Sequence, residues 1–403
     1  MVDGADGAHQ RSGWWRALGS WVLVASGLQV AQHVASRVLV ERPYEFRWRG
    51  FDWFASPWSQ FDGPEYLRIV TSGYSYTPGV RSNIVWFPLY PLLVRGVDSW
   101  IGLPLASGIL VSALAGAAAS VALWCWLTQQ QVGDGPRSHV RLVAFLAVML
   151  YPYAWYLYGV VHSDALFLLL VLGAFLLVER DHLVAAGLVG ALATATRPTG
   201  LALVGGLVLL GLERRGVLSV PDDARGVVAR WRLPVRFDRR RLTPSTLAPL
   251  LSVLGVAVWA TWLGVTFGDP LAFQSNQRVY HPSPLPWLKL PYFRRLLTWE
   301  EPSYVLTTTL QALLLVVVIL SIPAVIRRFG AGYGVFVGAL AMIPTVATAD
   351  FMGTGRYLIA AFPVWAMWGE RLARRPRGWL VVAGSGTLMF AMAMGFSRSW
   401  YLT

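Results

Sequence analysis

Long apolar stretches separated by short polar or arginine-bearing turns recur along this chain from Trp14 almost to its C-terminus. They fall at about residues 14–38, 104–128, 141–160, 163–179, 183–196, 199–212, 246–267, 303–325, 333–348, 357–371 and 378–396. A helix needs roughly 20 apolar residues to cross about 30 Å of hydrocarbon. The pattern therefore predicts an all-α polytopic membrane bundle of about eleven spans. The pair 183–196 and 199–212 is short for two crossings and reads equally as a helical hairpin that returns to its own side. A shorter helix is expected over 64–72. The stretch 83–100 is doubtful as a span because it carries Pro88, Pro91, Arg95 and Asp98.

Composition supports the membrane class. Of 403 residues, 55% are hydrophobic and 14% charged, against roughly 25% charged in soluble domains. The formal net charge of +13 lies largely in arginine clusters between apolar runs. That placement points to anchoring against anionic membrane lipid, with no nucleic acid partner. The polar first twelve residues precede a run too long and too aromatic for a cleaved signal peptide, so that run is expected to be the first span. The single cysteine, Cys125, excludes an intrachain disulfide.

Positive charge also sets the expected orientation. If 83–100 crossed, the loop 213–241, the pair Arg327/Arg328 and the cluster Arg371, Arg374, Arg375 and Arg377 would all lie outside, against the positive-inside bias. If 83–100 lies on the surface instead, all three become cytoplasmic. The expectation is thus one domain, 1–403, in the cell membrane, with a cytoplasmic N-terminus. An extracytoplasmic catalytic segment occupies 39–103 and a basic cytoplasmic loop 213–245. The turn at His162 and Asp164, the turn 196–200, the loop 268–302 and the segment 350–356 also fall on the outer side.

Several outer residues could carry chemistry. Asp62 and Glu65 open the short helix, where Asp62 could also be a plain N-cap and Glu65 a plain N-terminal charge. Asp52 is a second-choice base beside Glu65. His162 and Asp164 flank a span start, and Asp350 is similar. Arg197 and Arg356 sit at span ends, where an ionisable group either snorkels to the headgroups or is functional. Asp269, between Gly268 and Pro270, is a good turn former. No Gly-rich phosphate loop, Gly-x-Ser-x-Gly or metal-spaced Cys/His set occurs. No cofactor or metal is expected, with a divalent cation near Asp62 left open.

An ordered set of boxes carries a resemblance: Gln60-Phe61-Asp62-Gly63, Tyr66, Gly73-Tyr74 and Phe87-Pro88-Leu89-Tyr90-Pro91, then His162-Ser163-Asp164-Ala165-Leu166-Phe167. Thr196-Arg197-Pro198-Thr199-Gly200, Gly268-Asp269-Pro270-Leu271-Ala272-Phe273 and Arg356-Tyr357 complete it. The set resembles bacterial proteins similar to the second mannosyltransferase of GPI-anchor assembly, in the GT-C superfamily of membrane glycosyltransferases. Two positions depart from that pattern: Gln60-Phe61 stands where Arg-Trp is usual, and Asp164 where Glu is usual. The resemblance implies a GT-C fold and transfer of mannose from polyprenyl-phosphate-mannose to a lipid-linked or cell-surface glycan acceptor, with inversion at the anomeric carbon.

A phosphate leaving group departs with little need for protonation, so one base can suffice, unlike the carboxylate pair of glycosidases. Asp62 is assigned that role. Arg197 and Arg356 are assigned to the lipid phosphate, which guanidinium grips bidentately. Glu65, Tyr66, His162, Asp164, Asp269 and Tyr357 complete the expected substrate-binding set. The proline box is expected to serve architecture. The competing readings are a transporter or lipid flippase, and a non-catalytic assembly member of the same family.

Overall fold

The computed structural model describes residues 3–41, 56–133, 138–219, 236–280, 285–400 and 402. Asp52 and the stretch 42–55 lie outside the described residues, as does 220–235 of the loop 213–245. Helices dominate: α1 (Asp3–Val38), α2 (Gly63–Ser72), α3 (Leu89–Ile101), α4 (Pro104–Gln129), α5 (Ser138–Met149), α6 (Asp164–Glu179), α7 (Leu183–Thr194) and α8 (Leu201–Arg214). They continue as α9 (Leu254–Phe267), α10 (Ala272–Tyr280), α11 (Leu290–Thr298), α12 (Pro302–Phe329), α13 (Ala331–Val346), α14 (Thr354–Tyr357), α15 (Phe362–Ala373) and α16 (Gly378–Ser397). Among the described residues the sole ladder pairs β1 (Leu218–Ser219) with β2 (Arg236–Phe237), antiparallel.

Among the described residues, four helices are long and apolar enough to cross a membrane: Pro104–Gln129, Pro244–Phe267, Pro302–Phe329 and Gly378–Ser397. The coarse expectation of a helical membrane protein holds on these. Three of the four start with proline at the first helical turn, where its missing N–H removes nothing and its fixed φ suits the helix. The other expected spans are shorter or more polar helices. Among them α7 and α8 have only 12 and 14 residues, and the doubtful 83–100 stretch forms the 13-residue α3.

Two expected spans are interrupted: 141–160, and 357–371, where α14 ends at Tyr357 and α15 begins at Phe362. The apolar run 141–160 is helical only to Met149. Pro152 cannot donate to a continuing helix, and Gly159 turns the chain at φ 110°. Tyr151, Tyr153, Trp155 and Tyr156 are buried in the turn. The Tyr158 hydroxyl donates to the Met149 carbonyl at 2.8 Å, occupying an acceptor that the ended helix leaves open.

Packing divides the chain into two compact units. Unit 1 comprises residues 1–72, 90–172 and 365–402. Its core packs α1 against α4 and α16, with α5 against α4 and α16. Ser385 Oγ donates to the Leu150 carbonyl at 2.7 Å, and Trp21 Nε1 to the Leu157 carbonyl at 3.0 Å.

Unit 2 comprises 73–89 and 173–364, with residue 403. Here α8 and α13 meet backbone to backbone. A Cβ at Gly206 would stand 2.7 Å from Phe336 Cβ, and one at Gly332 would stand 2.7 Å from the Gly206 carbonyl oxygen. Small residues at the crossing are what dispersion packing between apolar helices requires. Glu213 then accepts from the amides of Ala331 at 2.9 Å and Gly332 at 3.1 Å. A carboxylate there answers both the open donors and the dipole of α13. Phe87 of the proline box is buried with Ile84, Trp259, Leu263 and Ala272, which is a packing role.

Gly206→Leu is expected to separate α8 from α13 and to lower unfolding free energy by about 1–3 kcal/mol, the usual cost of overpacking. Gly19→Ala, at a helical glycine with no atom within 4 Å of an added Cβ, should leave stability unchanged or slightly raised. Thermal unfolding of the two variants in one detergent checks both outcomes.

Candidate active site

Unit 1 brings five of the expected residues together. The chain from Trp58 to Tyr66 runs beside the chain from Val161 to Asp164, and the Val161 amide donates to the Trp58 carbonyl at 2.8 Å. Trp58 Nε1 donates in turn to Gln29 Oε1 of α1 at 2.9 Å. Gly63 is needed where the strips touch, because a Cβ would lie 2.9 Å from Ser59 Oγ and 3.4 Å from the Val161 carbonyl oxygen.

Asp62 stands at the start of α2, and the Tyr66 amide donates to its carbonyl at 3.1 Å. Its side chain is 31% exposed and lies 3.9 Å from Nε2 of His162, which is 1% exposed. That separation is too long for a hydrogen bond and leaves the ring beside the carboxylate. Phe61, one residue earlier, is held at φ 56°, an outlier for an aromatic residue. Two contacts hold it there: Phe61 packs on Phe396 at 5.3 Å between centroids, and Ser399 Oγ donates to Gln60 Oε1 at 3.0 Å. Strain of this kind persists only where the surroundings over-determine it. Here α16 and the residues after it supply the constraint.

His162 sits within rings. Tyr156 is 5.0 Å away, and Tyr66 and Phe396 are each 6.2 Å away, centroid to centroid. The Tyr66 hydroxyl shares a hydrogen bond with Ser163 Oγ at 3.0 Å. Tyr90 shares one with Ser112 Oγ at 2.8 Å, and Ser112 Oγ donates to the His162 carbonyl at 3.4 Å. Asp164, buried at 2% exposure, begins α6. Glu65 pairs with Arg68 at 3.2 Å. Burial raises the Glu65 carboxyl above its ordinary range, while Arg68 opposes the shift and Asp62 adds to it.

The remaining expected residues belong to unit 2. Arg197 is buried in extended backbone between α7 and α8. The turn that carries it is closed by Thr196 Oγ1 donating to the Leu192 carbonyl at 2.8 Å and the Leu89 amide donating to Ala195 at 3.0 Å. Arg356 lies in α14 with its guanidinium carbon 5.8 Å from the Tyr357 ring centre. The adjacent Gly355 amide donates to buried Gln311 at 2.9 Å. Asp269 accepts from the Leu271 amide at 2.9 Å in the turn that starts α10, which is turn-forming work.

Ser112, Tyr156, Phe396 and Ser399, which complete the unit 1 cluster beside Ser163 of the His162 box, were not among the expected residues. Neither was Lys289. This is the only lysine in an arginine-rich chain, and that singularity was the available signal. Lys289 is 4% exposed. Its Nζ donates to the Pro344 carbonyl at 2.6 Å, to Thr348 Oγ1 at 3.1 Å and to the Thr348 carbonyl. Three acceptors around one point suit an ammonium and not a planar guanidinium. Asp350, a weaker expectation, accepts from the Tyr304 hydroxyl at 2.8 Å and from the Met352 amide at 2.9 Å. Lysine and carboxylate together order the turn that leads to α14.

No protein-family model matches the chain, and no curated protein matches its sequence. Among the described residues, no group of three or more His, Cys, Asp or Glu side chains is placed to hold a metal ion.

Burial pushes Lys289 down to about 8 from the ordinary 10.5, against the opposing pull of Asp350. The unfolded chain therefore binds the extra proton between those values, so this group's contribution to stability rises from pH 8 towards pH 10.5. Subtracting the pH profile of Lys289→Met unfolding from that of the wild type should expose this slope. Lys289→Arg should cost about 1–3 kcal/mol, because the carbonyls lose their fitted donors. A Lys289→Arg variant as stable as wild type would show that shape at this position is unimportant.

Proposed function

We propose that this chain is a membrane glycosyltransferase that uses a polyprenyl-phosphate sugar. The observation that carries the proposal is the partly exposed Asp62 carboxylate beside the buried His162 imidazole, in a wall of Tyr66, Tyr156 and Phe396. A base must meet solvent or substrate on one side and be fixed on the other, and this arrangement supports that requirement. The ordered motif resemblance supplies the reaction type and mannose as the sugar, with a lipid-linked or cell-surface glycan acceptor. The finer topology of eleven crossings, with the active site on the extracytoplasmic face, is part of the same proposal.

In the proposed step an acceptor hydroxyl attacks the anomeric carbon and its proton passes to Asp62. The bond from that carbon to the phosphate oxygen breaks, and the lipid phosphate leaves with the electron pair. His162 acts as a positioning residue packed beside the carboxylate, and Glu65, Tyr66 and Asp164 offer polar groups for sugar hydroxyls. Arg197 and Arg356 are assigned to the phosphate on the chemistry of guanidinium, and Tyr357 to the orientation of Arg356. Asp269 is expected to contribute least, since its carboxylate is engaged in a turn.

The test measures transfer of radiolabelled mannose from polyprenyl-phosphate-mannose into lipid or glycan by membranes holding equal amounts of each form. Asp62→Asn should lower transfer by about 10²–10⁴, the contribution of a positioned base, and His162→Gln by less. Asp269→Asn should change it little. Unaltered transfer by Asp62→Asn would remove that residue from the role. Absence of transfer by wild type from any lipid-phosphate sugar would favour a transport or assembly role.

A further inference from the structure

The strongest feature outside the Asp62 cluster is a cavity at the turn between α15 and α16, within unit 1. It has a volume of about 390 Å³ and is lined by His139 and Val143 of α5 and by Arg374, Arg375, Pro376 and Trp379. Four arginines fall within residues 371–377, and the nearby acid is Glu370. Arg374 Nη2 donates to Glu370 Oε1 at 2.7 Å, which leaves further N–H groups of that five-donor fork for a ligand. Arg375 is exposed and makes no ion pair among the described residues.

Both walls are built and fixed. The turn is closed by the Arg375 amide donating to Leu372 at 2.9 Å and the Gly378 amide to Arg375 at 3.1 Å. A Cβ at Gly378 would fall within 2.9 Å of Leu372 Cα, so the backbone folds directly on itself. The opposite wall is drawn in by Gly369, where a Cβ would stand 2.6 Å from Ala144 Cα and 3.0 Å from the Val143 carbonyl oxygen. The guanidinium groups of Arg374 and Arg375 thus extend from a tight turn set against α5, and little backbone order remains to be gained on binding.

Location selects the ligand. The helix Gly378–Ser397 is long and apolar enough to cross a membrane, and the cavity lies at its first residues. Trp379, 58% exposed, is the indole expected at a membrane–water boundary. We propose that this cavity binds a phosphate ester, supplied by the headgroup of an anionic phospholipid. Arg374 and Arg375 take the phosphate oxygens, and Trp379 and Val143 flank the glycerol and the start of the acyl chains. Basic pockets between span ends bind such headgroups, and guanidinium matches phosphate geometry better than ammonium does. The proposal is independent of the glycosyltransferase reading.

The full chain, purified and delipidated in a neutral detergent, is titrated with phosphatidylglycerol, phosphatidylcholine or inorganic phosphate. Thermal unfolding and native mass spectrometry follow binding. Phosphatidylglycerol should raise the unfolding temperature saturably and remain bound, whereas phosphatidylcholine should do neither. Arg374→Gln/Arg375→Gln should weaken that binding at least tenfold, Arg375→Lys by less, and the nearby Arg377→Gln little. Matching unfolding temperatures without lipid show that the variants are folded. An equal shift from inorganic phosphate, lost in the double variant, would keep the phosphate site and assign it to the free ion. Phosphatidylglycerol binding that survives the double variant, or that phosphatidylcholine equals, overturns the proposal.

Discussion

In a chain this apolar, every backbone N–H and C=O that leaves water must find its partner inside the protein. Continuous helix meets the demand within one segment. Each interruption opens donors and acceptors that something else must occupy. The Tyr158 hydroxyl reaches Met149, Thr194 Oγ1 reaches the Ser252 carbonyl at 2.6 Å, and Lys289 reaches Pro344 and Thr348. The expected site residues cluster at these same interruptions: His162 and Asp164 after the break at Met149, Arg197 between α7 and α8, and Arg356 between α13 and α15. Polar chemistry and broken helix occur together because each gives the other a place near hydrocarbon.

The Asp62 cluster shows how that constraint sharpens into a site. Phe61 is forced into a left-handed conformation, and α16 holds it there through Phe396 and Ser399. The following carboxylate is thereby fixed beside His162 while remaining partly exposed. Gln60 is an acceptor for Ser399 and Phe61 is a ring for Phe396, so both residues serve placement of Asp62.

Two basic sites, one in each unit, illustrate different uses of basic groups. Lys289 is enclosed and satisfied by carbonyls near α14, where a compact ammonium fits and a guanidinium does not. Arg374 and Arg375 follow the C-terminal end of α15, in a tight turn facing a cavity, where planar forks suit an oxyanion. One lysine among so many arginines is therefore a matter of shape.

The sequence by itself determined where the apolar helices form and where most of them stop, whereas the helices α10 and α11 fall in what reads as a loop. Those outcomes depend on local properties: apolar run length, proline at the first turn of α4, α12 and the helix Pro244–Phe267, and glycine or proline at breaks. Even the interruption at Met149 carried a local mark in Pro152, masked by the aromatic residues that made the run look continuous. The boxes around Asp62 and His162 were likewise legible as patterns. Only the tertiary structure decided that Asp62 faces His162, that Lys289 serves α13, and that Arg375 meets a cavity beside α5. These pairings join residues far apart in the chain, and no local periodicity encodes which distant surfaces will meet. They follow from glycine-scale fits between helices, such as Gly206 on Gly332 and Gly369 on Ala144, where a single methyl group decides whether two backbones can approach.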